Sequence, residues 1–147
     1  MNILIITYSR IPEGDAEAVR LLTFGETLRD SGHDVFFVGM GFSNYREEME
    51  YKGFKYTSLR KNSKNTFQKV YYYLDYNRRL KKLLKSYVLN KKIDAILVAD
   101  LPILSVKWLK KFCKYHNIQY LYDSVEWYSP EQFKYGNLSL DMLLKNI

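Results

Sequence analysis

The chain is short of the residues from which several kinds of chemistry are built. It has one cysteine, Cys113, so no internal disulfide can form, which fits a reducing compartment. Two histidines, His33 and His116, leave a structural zinc site needing an unusual ligand set, and no metal is expected. No apolar run approaches the roughly 18 residues that a membrane-spanning helix requires. The opening Met1-Asn2-Ile3-Leu4 lacks the basic n-region and small-residue cleavage site of a signal peptide. A cytoplasmic protein is expected, at most peripheral at the inner face of a membrane. Glycine is sparse in patterns as well. There is no Gly-x-Gly-x-x-Gly after the first strand, no Gly-x-x-x-x-Gly-Lys-Ser/Thr loop and no Gly-x-Ser-x-Gly elbow. A tight dinucleotide site and a hydrolase elbow are therefore disfavoured, and no cofactor is expected.

What is present describes an ordinary globular domain with an uneven charge. A length of 147 residues, 47% apolar and 27% charged, suits one domain with a real core. Aromatics reach 16%, with 14 tyrosines, enough to place some on a surface. Of the net +7, residues 60–92 supply +10, eleven Lys/Arg against Asp75 alone. The other 12 basic and 15 acidic residues sum to −3. Such a segment is a solvated face, a contact for an anionic membrane surface through residues 67–92, or a polyanion site. Nucleic acid is not expected, because no stacking aromatics or groove-reading element can be identified.

Along the chain, strand and helix patterns alternate. Asn2–Thr7 reads as a buried strand, and Tyr8–Asp15 as a loop. An amphipathic helix from Asp15 to Asp30 follows, with Ala18, Leu21, Leu22, Gly25 and Leu28 inward and Ser31-Gly32 as its stop. Val35–Gly39 is a second strand, residues 40–50 a loop, and Phe54–Ser58 a short third strand. A long helix over Phe67–Leu89 carries an apolar stripe that includes Val70, Tyr73, Leu74, Leu80, Leu83, Leu84, Tyr87 and Val88. Its other face carries Lys69, Arg79, Lys82 and Lys85. Asp94–Asp100 is a strand buried on both faces. Pro102 opens a helix to His116 with Cys113 on its inward stripe, and Gln119–Asp123 is the last strand. The order predicts an α/β, doubly wound, mainly parallel, Rossmann-like sheet in three α/β/α layers. A final apolar helix over residues 138–147 without a cap predicts a piece of a longer protein.

In such a sheet ligands bind beyond the carboxyl ends of the strands. Three polar loops leave those ends: residues 8–15, Asp100-Leu101-Pro102, and Asp123-Ser124-Val125-Glu126-Trp127-Tyr128. Their convergence on one rim is the main functional signal. Gly14 permits close backbone approach, and the helix after it offers amides to an anion. Asp15 has two readings, a loop residue near a phosphate or a plain helix cap. Asp123 and Glu126 either do acid/base work and orient hydroxyls, or cap the next turn. Trp127 and Tyr128 either stack on a sugar ring or pack on the tail. His33 lies at the opposite rim and is read as structural; Cys113 is read as core.

Taken together, these segments resemble the N-terminal domain of a GT-B glycosyltransferase of the family 4 type. The likeness rests on Met1-Asn2-Ile3-Leu4-Ile5-Ile6, on Gly14-Asp15-Ala16 with Arg20, and on Leu28-Arg29-Asp30-Ser31-Gly32-His33-Asp34-Val35. Tyr122-Asp123-Ser124-Val125-Glu126-Trp127-Tyr128-Ser129-Pro130 is similar to the family's Asp-x-His-Glu loop, with Val125 where a histidine is common. Asp15 stands where the family has a second glycine. The resemblance spans essentially residues 1–147 and implies one half of a two-domain enzyme. Its C-terminal donor-binding domain, with a Glu-x7-Glu motif, is absent from this chain, so the isolated domain is expected to be inactive. It implies transfer from a nucleotide-sugar to a glycan or lipid-linked acceptor in polysaccharide or cell-envelope synthesis. Arg10, Gly14 and Asp15 would then approach the donor phosphates. Arg20, Asp100, Asp123, Glu126, Trp127 and Tyr128 would hold the acceptor, with Asp123 and Glu126 the catalytic candidates. The alternative is a non-catalytic Rossmann-like binding or assembly module, for instance one subunit of a two-part transferase.

Overall fold

A computed structural model describes residues 1–12, 14–41, 48–61, 66–90 and 92–124. Strand β1 (Asn2–Arg10) leads to helix α1 (Ala16–Asp30) and strand β2 (Asp34–Gly41). A hairpin of β3 (Glu48–Tyr51) and β4 (Phe54–Lys61) follows, then helix α2 (Thr66–Asn90). Strand β5 (Ala95–Ala99), helix α3 (Ile103–Tyr115) and strand β6 (Gln119–Asp123) complete the described chain. The strands form one sheet in the order β3-β4-β2-β1-β5-β6, parallel except for the β3–β4 pair. The expected doubly wound α/β architecture is present.

Each element has a local cause. Ile3 to Thr7 and Ala95 to Ala99 are buried at every position, the continuous run expected of central parallel strands covered on both faces. Helix α1 begins at Asp15, which takes the Ala18 amide at 2.9 Å, and ends in a Schellman turn. There the His33 amide donates to Leu28 O (3.1 Å) and that of Gly32 to Arg29 O (2.8 Å), with Gly32 at φ 81°. The left-handed turn explains why glycine precedes His33. Helix α3 closes the same way with Asn117 at φ 54°, its Ile118 amide donating to Cys113 O at 2.9 Å.

Two boundaries differ from the sequence reading. Tyr8–Arg10, expected in a loop, continue β1, and Arg10 pairs with Met40 after a register shift. Of the expected loop over residues 40–50, Met40 and Gly41 end β2 and Glu48 to Glu50 belong to β3, whose alternating exposed and half-buried residues form an edge strand. Lys52 (φ 49°) and Gly53 (φ 78°) make its two-residue turn, both left-handed as a primed hairpin turn requires. The final segment read as a helix lies outside the described residues.

The route of the chain decides which helix lies where. From β1 it moves one way to β2 and β4, then returns past β1 to β5 and β6. Crossovers of one hand made in opposite directions put their helices on opposite faces. Helix α1 accordingly packs on Ile3, Ile5, Phe37, Phe54 and Leu97 through Ala18, Leu21 and Leu22. Helices α2 and α3 share the other face, where Tyr76, Leu80, Leu84, Leu109 and Phe112 meet Leu4, Ile6, Val38, Ile96 and Val98. The reversal of direction lies between β1 and β5, the place where such sheets open a ligand crevice.

Candidate functional site at the carboxyl edge of the sheet

Because β1, β5 and β6 are parallel neighbours, their carboxyl ends open on one edge. Arg10, Asp100 and Asp123 stand at those three ends. Register then decides what each side chain meets. Asp123 pairs with Ala99, which belongs to the α1 face, so Asp123 points toward α1. There its Oδ2 accepts an ion pair from Arg20 Nη2 at 2.6 Å. Arg20 also contacts Glu17 Oε1 at 2.8 Å, one turn earlier in the helix. The Glu17 bond, with the Asp123 bond behind it, drives the Arg20 pKa above its already high value. Arg20 is thus a permanent cation that fixes two carboxylates in place, one at a strand end and one on a helix.

The second part of the rim is phenolic. Tyr76 of α2 is wholly buried, and its hydroxyl donates to Thr7 O at 2.9 Å. Burial, with Tyr8 and Asp100 nearby, pushes its pKa far upward, so it remains a neutral donor. The Tyr8 ring stands edge-on to Tyr76 with centroids 5.1 Å apart. Tyr122 at the end of β6 is part-exposed, and burial, then Asp100 and Asp123, raise its pKa as well. Asp100 itself holds φ 46°, a left-handed conformation that costs a non-glycine residue about 1–3 kcal/mol. Lys52 and Asn117 share that conformation in plain turns, whereas Asp100 holds it at the crevice between β1 and β5.

The start of α1 shows Asp15 acting as the helix cap. Its Oδ1 takes the Ala18 amide, and its Oδ2 lies 3.3 Å from the Arg10 amide and 3.9 Å from Arg10 Nε. The helix N-terminus therefore carries its own carboxylate. Gly14 makes a close backbone approach, but to the chain itself: an added Cβ would collide with Arg10 Cβ and stand 3.1 Å from Arg10 O. Of the residues expected at donor phosphates, Arg10 and Asp15 are engaged with each other.

Among the residues expected at the acceptor, Arg20 and Asp123 are brought into contact, and Asp100 stands on the neighbouring strand end. Glu126, Trp127 and Tyr128 lie outside the described residues. Glu17, Tyr8, Tyr76 and Tyr122 were not singled out by sequence reasoning. A signal existed for Glu17, which lies three residues before Arg20 at ion-pairing spacing on one helix face. Counting Asp15, Glu17, Asp100 and Asp123 against Arg10 and Arg20, the described lip is two charges negative. Such a lip favours a hydroxyl-rich or cationic ligand over a bare phosphate.

The opposite edge is differently built. Asp94 accepts from the Asn2 amide at 2.8 Å, and this bond holds its carboxyl below the usual range. His33 Nδ1 lies 3.5 Å from the N-terminal amine, in keeping with a structural place at that edge. A cavity of about 560 Å³ opens there, with Arg29, Phe36, Phe54 and Tyr87 among its walls. Cys113 is fully buried in the core, and burial raises its thiol to about 11. Among the described residues no cluster of three or more His, Cys, Asp or Glu could hold a metal. None of the described helices is long and apolar enough to cross a membrane.

No protein-family model matches the chain, and no curated protein matches it. Two crystal structures of the C-terminal domain of a hydrogenase from Pyrococcus furiosus are similar. One, of residues 78–226, has a TM-score of 0.58 at 16% identity, covering 83% of this chain and 89% of that one. The other, of residues 83–215, has a TM-score of 0.58 at 17% identity, covering 83% and 90%. At that identity the likeness carries the fold alone: the chain is a Rossmann-like α/β domain.

Proposed function

We propose that this chain is the acceptor-binding half of a glycosyltransferase of the GT-B kind, and that the edge at β1, β5 and β6 receives the hydroxyl-rich acceptor. The observation that supports this reading best is the Glu17–Arg20–Asp123 cluster beside the crevice. A carboxylate offers about four acceptor positions, and the Arg20 contact engages one oxygen of Asp123. Asp123 can hold a sugar hydroxyl while Arg20 keeps its carboxylate from turning. Tyr8 and Tyr122 supply aromatic surface on either side of Asp100. The role of this half is positioning, which brings the acceptor hydroxyl to the donor carbon in one geometry. A donor diphosphate would be neutralised chiefly from the companion domain, since Asp15 occupies the helix N-terminus here.

That same occupied helix end favours one competing reading, a non-catalytic binding module that never meets a nucleotide-sugar. Saturation-transfer NMR on the chain with oligosaccharides tests the acceptor assignment. Oligosaccharide binding that weakens tenfold or more in Asp123→Asn is expected, the loss of about 1.5–3 kcal/mol for a charged hydrogen bond. Wild-type protein that binds no saccharide, or a variant that binds as well as wild type, would overturn the assignment.

A further inference from the structure

The basic segment seen in the sequence is only part of a larger basic surface, because the crossover rule places α2 and α3 side by side on one face of the sheet. On α2, Arg78, Lys81, Lys82 and Lys85 are exposed at three- and four-residue spacing, forming one outward stripe. On α3, Lys107, Lys110, Lys111 and Lys114 are exposed in the same manner. The stripes belong to adjacent helices: Lys81 Nζ lies 5.2 Å from the centre of the Trp108 ring, and Ser105 donates to Asn77. Helix α3 contains no acidic residue, and the one in α2, Asp75, is paired with Arg79 at 2.7 Å. Arg79, expected on the solvated face, instead tucks against the sheet and donates to Leu59 O at 3.2 Å.

Apolar side chains are set within the two stripes. Leu104, 60% exposed, precedes Lys107 and Lys111 on their face of α3, and Tyr115, 85% exposed, follows them. Leu89, 83% exposed, continues the α2 stripe four residues beyond Lys85. We infer that the outer face of the α2–α3 layer docks on an anionic phospholipid surface. The cations meet headgroup phosphates while Leu89, Leu104 and Tyr115 reach the interfacial zone, the composition that suits peripheral attachment. A duplex nucleic acid would use the same cations but gives no role to the three exposed apolar groups. The inference does not depend on the saccharide reading, since it concerns a different surface.

Sedimentation of the chain with vesicles tests it, comparing phosphatidylcholine alone with an equal mixture of phosphatidylcholine and phosphatidylglycerol. Binding is expected only to the mixed vesicles and falls as salt rises. Each cation near such a surface contributes about fivefold (about 1 kcal/mol). Lys110→Gln with Lys111→Gln therefore weakens partitioning by tenfold or more. Lys52→Gln with Lys55→Gln, on the β3–β4 hairpin, leaves partitioning within about twofold of wild type. Circular dichroism confirms that both variants fold. Equal binding to neutral vesicles, equal losses in both variants, or duplex DNA binding without vesicle binding would each overturn the inference. No saccharide enters this experiment, so its failure and that of the acceptor assignment are distinguishable.

Discussion

Helix α1 buries two small residues, Ala18 and Gly25, beside Leu21 and Leu22, whereas α2 buries Tyr76, Leu80 and Leu84 against the sheet. Ala18 and Gly25 let α1 come so near that an added Cβ at Gly25 would stand 2.6 Å from Phe37 Cζ. On the other face Tyr76, Leu80, Leu84, Leu109 and Phe112 fill the space between their helices and the sheet. The helix sequences differ in charge as well. Over 16–30 the charges are Arg20 and Arg29 against Glu17, Glu26 and Asp30, a balance of −1. Over 66–90 and 103–115 there are ten cations and Asp75, a balance of +9. The near-neutral layer places Arg20 at the strand ends, in contact with Asp123. The cationic layer carries the surface proposed to meet phospholipid. Position and contact are thus divided between the two faces of one sheet.

The comparison breaks most sharply at the α2–α3 layer. Leu84 is completely buried between α2 and the sheet, and Leu84→Ala removes three heavy atoms from a filled core. The expected loss is about 2–5 kcal/mol. Urea unfolding measures it, and a loss below about 1 kcal/mol would mean that α2 is not seated as tightly as its burial implies.

A smaller effect of the opposite steric sign belongs to α1. Gly25→Ala gains about 1 kcal/mol of helix propensity but must displace the Phe37 ring. That ring is completely buried and stands edge-on to Phe54 with centroids 5.3 Å apart, so it has nowhere to move. Overpacking of about 1–3 kcal/mol less that gain leaves a net destabilisation of up to about 2 kcal/mol, expected in the same urea experiment. A more stable variant would show that α1 has room to lift, and the contrast between layers would lose its basis.

How much of this was legible in the sequence depended on whether the determining contact is local. Strands β1 and β5 were readable because unbroken apolar runs have few other uses, and α1 ended where Gly32 said it would. Strand β3 was missed because Glu48-Met49-Glu50-Tyr51 is an edge strand with charges outward, although the Lys52-Gly53 pair marked its turn. Tyr76 escaped notice because its burial depends on an acceptor, Thr7 O, 69 positions away. Arg79 was misplaced for the same reason, being held by Leu59 O from another strand. At the rim, Arg20 and Asp123 could be named from sequence. Their contact could not, since it follows from the pairing of Ala99 with Asp123. The addition of α3 to the basic surface likewise required the order of the strands.

The mildest perturbation bears on how α1 meets the crevice. Asp15→Ala removes a cap and is expected to cost about 1 kcal/mol. It also releases the Ala18 and Arg10 amides, which the Asp15 carboxylate now engages at 2.9 and 3.3 Å. A helix N-terminus with open amides and a positive dipole end attracts anions. Inorganic phosphate should therefore shift the Ala18 amide resonance in the variant, and to a much smaller degree in the wild type. Equal shifts in the two proteins would mean that Asp15 does not close this position to phosphate. The donor would then have a place on this domain, and the division of labour with a companion domain would have to be redrawn.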